Sequence, residues 1–492
     1  MVVCIFRVNK GLAMREIRTW AITALACAAL AACGGGGDDA PPERATIVTA
    51  VLAGQATKAQ IDAGTQASGL QGLSGTAKCD VDIRYVLYMT RDPAGQPQTA
   101  SAGVMVPSGS DAACGGAGAN KLPVLLYAHG TTTAKSFNMA DVSRSTTTGA
   151  YNNAAGAEAS LEMAMFAAQG FIVVAPNYLG YDKSSLAYHP YLNAEAQAVD
   201  MVDGLRAAKT HLNAASTTKP SDKLFISGYS QGGHVAMATH KIIERDYSSE
   251  FTVTASGPMS GPHNLIKTST QVNGSPEYCT SIGSSNLNCV VNAGGTIFTP
   301  LLLTSFQKSY GNIYAASSDA YQSPFDQFAE TLFPTDTSIS TLLQEGKLPA
   351  DTTFTKLFGT GGLIKESFRT AFFTDANNGF KAAAAKNTLL GWTPKRPVAL
   401  CGGANDPTVF FYNSTDLQAD FATRSVTVPT FNLEDRSTLP AGPVGDAIYA
   451  GFQQQKTAAG ANATALYHGS LVPPFCNALV RGYFQQVLAS GL

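Results

Sequence analysis

The chain has 492 residues, 45% of them hydrophobic and only 14% charged, so it can bury a sizeable core and lacks the composition of a disordered polymer. Lys and Arg number 33 against 35 Asp and Glu, a net charge of −2. No basic run or aromatic-interleaved basic stripe occurs, so nucleic acid is excluded as an expected partner.

The length suits one large catalytic domain with an insertion, or two ordinary domains. At the N-terminus Arg15 and Arg18 precede a short apolar stretch, Thr19 to Ala32. It is too short to cross a bilayer but suits the apolar region of a signal peptide, so residues 1–32 read as a signal for export, with Met14 as an alternative start. The stretch ends in Leu30-Ala31-Ala32-Cys33, which resembles the lipobox of bacterial lipoproteins. That resemblance implies cleavage before Cys33, lipidation of its sulfur and membrane attachment in an outer-membrane, periplasmic or extracellular setting. An ordinary secretory signal with an incidental Cys33 is the alternative. Residues 33–45 begin with glycines, acids and prolines and read as a flexible linker.

An alanine-rich helical lead-in is expected to about residue 75. Val81, Ile83, Tyr85, Leu87 and Met89 then alternate with other residues, the period of a half-buried strand; Asp92 to Gly95 is a turn, and 98–106 its hairpin partner. Beyond it, apolar runs at Val124–Tyr127, Phe171–Ala175, Leu224–Ser227, Phe251–Ala255 and Val398–Cys401 suit parallel strands covered on both faces. Ala198, Val202, Leu205, Ala208 and Leu212 mark a helix between the second and third runs, and another should begin at Gln231. The expectation is an α/β fold with a mostly parallel sheet flanked by helices. Residues 46–264 and 396–492 would form the core. Residues 265–395 break the alternation, are too long for a βα connection, and read as an inserted, mainly helical cap or lid with helices near 298–322 and 362–385. A separate domain is the alternative there.

Gly228-Tyr229-Ser230-Gln231-Gly232 occurs once, directly after an apolar run and before a helical segment. Strand, Gly-x-Ser-x-Gly turn and helix form the nucleophile elbow of α/β-hydrolase folds. The turn is sharp enough to lift the serine oxygen above the sheet, and only small residues fit two positions to either side. The N–H of Gln231 would then face a developing oxyanion. Upstream, the strand ending at Ala128 runs into His129-Gly130-Thr131. In this fold that loop supplies the second oxyanion donor, here the Thr131 N–H, with Gly130 allowing close approach and His129 bracing the loop rather than acting as base.

A serine nucleophile needs a base and an orienting carboxylate, which in this fold follow in the order Ser, acid, His. His468 is the one histidine beyond the cap, whereas His234, His240 and His263 come too early. Asp406 follows the last apolar run, where catalytic groups gather in open α/β sheets; Asp416 is the fallback, and a structural helix-capping role for Asp406 is the bland alternative. No metal or organic cofactor is called for.

Nine cysteines are present. Cys4 and Cys27 fall within the signal and Cys33 would carry lipid, leaving Cys79, Cys114, Cys279, Cys289, Cys401 and Cys476. An even set in an exported chain favours disulfides over metal. Nearest-neighbour pairing is expected, together with a Cys401–Cys476 bridge that would pin the acid loop to the base loop.

With these residues in place, the segments Phe171 to Asp182, Asp203 to Ala208 and Gly228 to His234 resemble the secretory-lipase family of α/β-hydrolases, similar to lipase A. The resemblance covers about residues 75–490 and is weakest in the cap. It implies an exported lipase or esterase that cleaves a small-molecule or lipid ester through an acyl-serine. A serine aminopeptidase of the same fold would need cap carboxylates to hold an ammonium group, and no acidic pair stands out in 265–395. A non-catalytic surface-binding lipoprotein is a rival of a different class; the intact Ser, Asp and His speak against it.

Overall fold

The computed structural model describes residues 43–115, 121–274 and 291–491. Its nine strands, β1 (Ile47–Ala56), β2 (Asp80–Arg91), β3 (Pro97–Ser108), β4 (Leu122–Ala128), β5 (Ile172–Pro176), β6 (Pro220–Tyr229), β7 (Val253–Met259), β8 (Leu400–Gly402) and β9 (Thr430–Asn432), form one sheet. The order is β1-β2-β3-β5-β4-β6-β7-β8-β9. β1, β2 and β3 run as an antiparallel meander joined antiparallel to β5, and every pair from β5 to β9 is parallel. This is the α/β-hydrolase fold, a mixed, mostly parallel sheet flanked by helices.

The parallel strands are apolar without alternation because helices cover both faces. Leu125, Leu126, Phe225 and Ile226 are fully buried. Phe484, on helix Val472–Ala489, lies 4.6 Å from the Phe225 ring and 6.4 Å from that of Phe166. Helix Ala194–Ala215 packs against helix Gln231–Asp246, and both begin at or near the residues the periodicity indicates.

The lead-in differs from expectation. Residues 47–56 are a strand, paired with β2 at the sheet edge, and helix is confined to Lys58–Ala67, where Thr57 and Gln60 form a capping box, and the single turn Gln71–Ser74. Alanine favours helix, but Ile47, Val48, Thr49 and Val51 are β-branched, and the open edge of β2 offers backbone partners that no helix would use. Strand β9, only three residues long, has no periodicity to reveal it.

Between β7 and β8 the described residues form the helices Leu265–Asn273, Gly295–Tyr310, Ser317–Ala320, Ile339–Gln344, Glu366–Thr374 and Gly379–Lys386. They share a core of their own, including Leu301, Phe306, Tyr321, Phe368, Phe372 and Phe380. Each long helical piece expected here is shorter or divided. The first stops at Gly311, whose φ of 73° ends the helix in a left-handed turn. The second is broken before Asn378, whose side chain caps the helix that follows.

Two disulfides are formed among the described residues, Cys79–Cys114 and Cys401–Cys476. Cys279, Cys289, the signal, Cys33 and most of the linker lie outside the described residues.

Helix Ala194–Ala215 carries two buried carboxyls. Asp203 meets Arg44 at 2.9 Å and Arg206 at 3.1 Å. Asp200 accepts from the Tyr88 hydroxyl and the Leu179 N–H, each at 2.9 Å. Burial dominates there and raises the Asp200 pKa from 3.8 to about 7.

Two outcomes are expected. A proton held more tightly when folded favours the native state at low pH, so the Asp200 contribution is complete below about pH 4 and lost as pH rises through about 7. Urea titrations should show stability falling across that window, with a flatter fall in Asp200→Asn. Replacing Cys401 and Cys476 together by Ala removes a cross-link between residues 75 apart in sequence and should cost about 2–5 kcal/mol in the same assay.

Candidate active site

Ser230 sits between β6 and helix Gln231–Asp246 with φ 59° and ψ −122°, a conformation that costs a residue with a side chain about 1–3 kcal/mol. Packing enforces it. A Cβ on Gly228 would lie 2.4 Å from the carbonyl oxygens of Ala128 and Gly232, and one on Gly232 only 1.9 Å from that of Ala128. The two outer glycines are therefore required by backbone from the adjacent strand β4. The Ser230 N–H donates to the Met259 carbonyl at 3.0 Å, tying the elbow to β7 as well.

His468 Nε2 lies 2.8 Å from Ser230 Oγ, and Nδ1 lies 2.7 Å from Asp406 Oδ2. The other carboxylate oxygen of Asp406 accepts the N–H groups of Thr408 and Val409 at 2.9 and 3.0 Å. Asp406 is thereby held in one orientation at the end of β8, with 1% of its side chain exposed. The structure thus brings together the three residues singled out in the sequence. Asp416 instead accepts from Lys267 and Asn264, each at 2.8 Å.

His468 occupies a π-type turn, Tyr467–Leu471, that runs directly into helix Val472–Ala489. Such a turn places a side chain where a regular helix would not. Tyr229 holds this turn by donating its hydroxyl to the His468 carbonyl at 2.6 Å, and Tyr467 donates to Glu434 at 2.7 Å. Tyr229 carries no signal in the sequence, because the middle positions of Gly-x-Ser-x-Gly accept many residues, and Tyr467 belongs to no motif there. The Cys401–Cys476 bridge links β8 to the helix behind His468.

Gln231 opens the helix, and neither its N–H nor that of Thr131 makes a backbone hydrogen bond among the described residues. The neighbouring Gly130 N–H is turned away, donating to Glu158 at 2.9 Å. His129 is fully buried, with Nδ1 2.7 Å from the Gly130 carbonyl and Nε2 3.2 Å from the Asn177 carbonyl. Its ring stacks on Tyr178 at 4.0 Å. Burial pushes its pKa down to about 4, and it meets loop backbone rather than Ser230. His234 and His240 are likewise buried on other partners, the Asn387 carbonyl and the Ser256 hydroxyl, each at 2.8 Å. His263 is fully buried too.

Ser230 and Gln231 form part of the wall of a cavity of about 100 Å³. The cap contributes Leu265, Phe298, Leu302, Phe368 and Phe380, and the segment after Asp406 contributes Val409 and Phe410. None of the described lining residues carries a charge. Candidate residues for holding a metal do not cluster among the described residues, and no helix among them is long and apolar enough to cross a membrane.

Gly232→Ala should not be accommodated, since its new methyl meets main chain rather than a movable side chain. The expected loss is at least about 1–3 kcal/mol, read by thermal or chemical denaturation, with activity falling further than stability as Ser230 is displaced.

Residues 157–254, which include β6, Ser230 and the helix after it, match the prolyl oligopeptidase family. Comparison with the curated proteins finds no match. Among solved structures, a ligand-bound form of the rice cell wall degrading esterase LipA from Xanthomonas oryzae is 28% identical. The match covers 91% of this chain and 100% of that one, with a TM-score of 0.70. A putative hydrolase from Legionella pneumophila, 18% identical over 90% of this chain and 98% of its own, shares the fold with a TM-score of 0.65. The chain is thus an α/β-hydrolase-fold protein related to esterases of that fold.

Proposed function

We propose that the protein hydrolyses uncharged carboxylic esters through an acyl-serine intermediate. The observation that carries this reading is the hydrogen-bonded series Asp406–His468–Ser230, with separations of 2.7 and 2.8 Å, ending at a mainly apolar cavity whose described lining residues are uncharged. Ser230 Oγ attacks the ester carbonyl carbon while its proton passes to His468 Nε2. The carbonyl electron pair moves onto oxygen, where the N–H groups of Gln231 and Thr131 receive it. Collapse of this intermediate breaks the bond to the alcohol oxygen, which takes the proton from His468. Water, deprotonated by the same imidazole, then attacks the acyl carbon and releases the acid and Ser230. Asp406 holds the imidazole with Nδ1–H toward the carboxylate, leaving Nε2 free to accept.

The likeness to a cell wall degrading esterase supports export, in keeping with the signal-like N-terminus. Membrane attachment through lipidated Cys33 rests on the lipobox resemblance alone. The assignment of 265–395 as a cap between core segments 46–264 and 396–492 is supported by its separate apolar core. A peptidase reading draws on the match of residues 157–254 to the prolyl oligopeptidase family. Recognition of a free amino terminus would need a carboxylate at the site, and the described residues of the cavity lining include none.

The test is turnover of p-nitrophenyl esters from acetyl to palmitoyl, beside aminoacyl p-nitroanilides. Ester turnover is expected, with Ser230→Ala lowering kcat by at least about 10⁴-fold and Asp406→Asn by about 10³–10⁴-fold. Turnover of the anilides alone would replace the esterase reading with the peptidase one; folded protein inactive on both series would defeat each.

A further inference from the structure

We propose that the segment His189-Pro190-Tyr191 is a clamp that positions both oxyanion-donating residues, Gln231 and Thr131, and joins them to the cap. This rests on the esterase reading of the same site. His189 is 2% exposed, and its Nδ1 lies 2.7 Å from the Leu179 carbonyl. A carbonyl can only accept, so Nδ1 carries the hydrogen and Nε2 of the neutral ring is left as an acceptor. That Nε2 lies 2.6 Å from the side-chain nitrogen of Gln231. Gln197 approaches the same atom at 3.4 Å. Burial holds the His189 pKa down at about 3, so the ring stays neutral and able to accept throughout the working range of a hydrolase. Its ring is fixed by Tyr181 and Tyr178, at 4.6 and 5.5 Å between centroids.

Two residues on, the Tyr191 hydroxyl lies 2.9 Å from Thr131 Oγ1. Tyr191 is 4% exposed, belongs to the apolar core of the cap and lines the cavity beside Ser230. One short stretch therefore meets the side chains of both residues whose N–H groups face the proposed oxyanion. The stretch is held close by design of the backbone at Gly180, where φ is 94° and a Cβ would lie 2.5 Å from the Tyr188 carbonyl and 2.7 Å from His189 Cα.

The physical need is clear. Oxyanion donors act through distances that must hold within a few tenths of an ångström, and Gln231 and Thr131 come from different loops. A long Gln side chain in a first helical turn would otherwise be mobile. Anchored on His189, it fixes the peptide that carries its own N–H. His189 and Tyr191 are thus positioning residues, acting through Gln231 and Thr131 rather than on substrate.

The experiment is a double-mutant cycle on p-nitrophenyl ester turnover, with His189→Asn, Gln231→Leu and the double variant, beside His189→Gln and Tyr191→Phe. His189→Asn keeps a donor for Leu179 but loses the acceptor for Gln231, and should lower kcat by about 10–100-fold with KM changed less than about threefold. His189→Gln, whose amide oxygen reaches the place of Nε2, should recover most of that loss. The double variant should be no slower than Gln231→Leu alone, since both remove one contact. Tyr191→Phe, which keeps the ring and its packing, should lower kcat by about tenfold and carries the test if His189→Asn does not fold. Multiplicative losses in the cycle, or losses confined to KM, would overturn the clamp while leaving the esterase reading intact. Absence of Ser230-dependent turnover in the wild type would remove that reading and the clamp with it.

Discussion

The rest of the site depends on one close approach of backbone to backbone, the carbonyl of Ala128 at the end of β4 lying against the turn at Ser230. Neither Gly228 nor Gly232 has room for a Cβ beside that oxygen. The crowding holds Ser230 at φ 59°, which aims its side chain above the sheet and starts the next helix one residue later. Ser230 is consequently where β4, β6 and β7 converge, the last through its N–H to the Met259 carbonyl. A nucleophile held by three strands has little freedom, and the strain is met by the sheet rather than by local contacts.

Around this fixed point the other groups arrive from far along the chain. Asp406 leaves the end of β8, next to β7, and His468 comes from a π-type turn well beyond it. The disulfide from Cys401 to Cys476 and the hydroxyl of Tyr229 hold that turn to the sheet. Such bracing is costly to leave to loops alone, because each flexible residue adds conformational entropy that a bridge removes from the unfolded chain. The cap then supplies most of the apolar wall. Burial strengthens the Asp406–His468 hydrogen bond, since water has little access to a carboxylate only 1% exposed.

Much of this was legible in the residues. The continuous apolar runs located β4 to β8 because strands covered on both faces have no polar positions to spare. The glycines around Ser230 marked the elbow because a steric demand of that kind admits a single residue type. His468 and Asp406 could be chosen by order and by position relative to the last long run. Less was legible at the edges. Residues 47–56 looked like the start of a helix, and only the free edge of β2 makes them a strand. β9 is too short for any period to appear, and Gly311 and Asn378 divide what composition alone presents as continuous helix.

By itself the sequence determined the class of sheet and the identity of the elbow with its serine, because each is imposed by strand burial or local sterics, while order along the chain pointed to His468 and left Asp416 open beside Asp406. Tertiary structure alone decided which carboxylate meets the histidine, Asp406 rather than Asp416. It alone brought His189 and Tyr191 to the side chains of Gln231 and Thr131. It also gathered the described residues of the wall beside Ser230, none of them charged. The reason is physical: a hydrogen bond between residues tens or hundreds of positions apart depends on distances of a few ångströms, and those are set by the packing of whole elements, for which one-dimensional order contains no local sign.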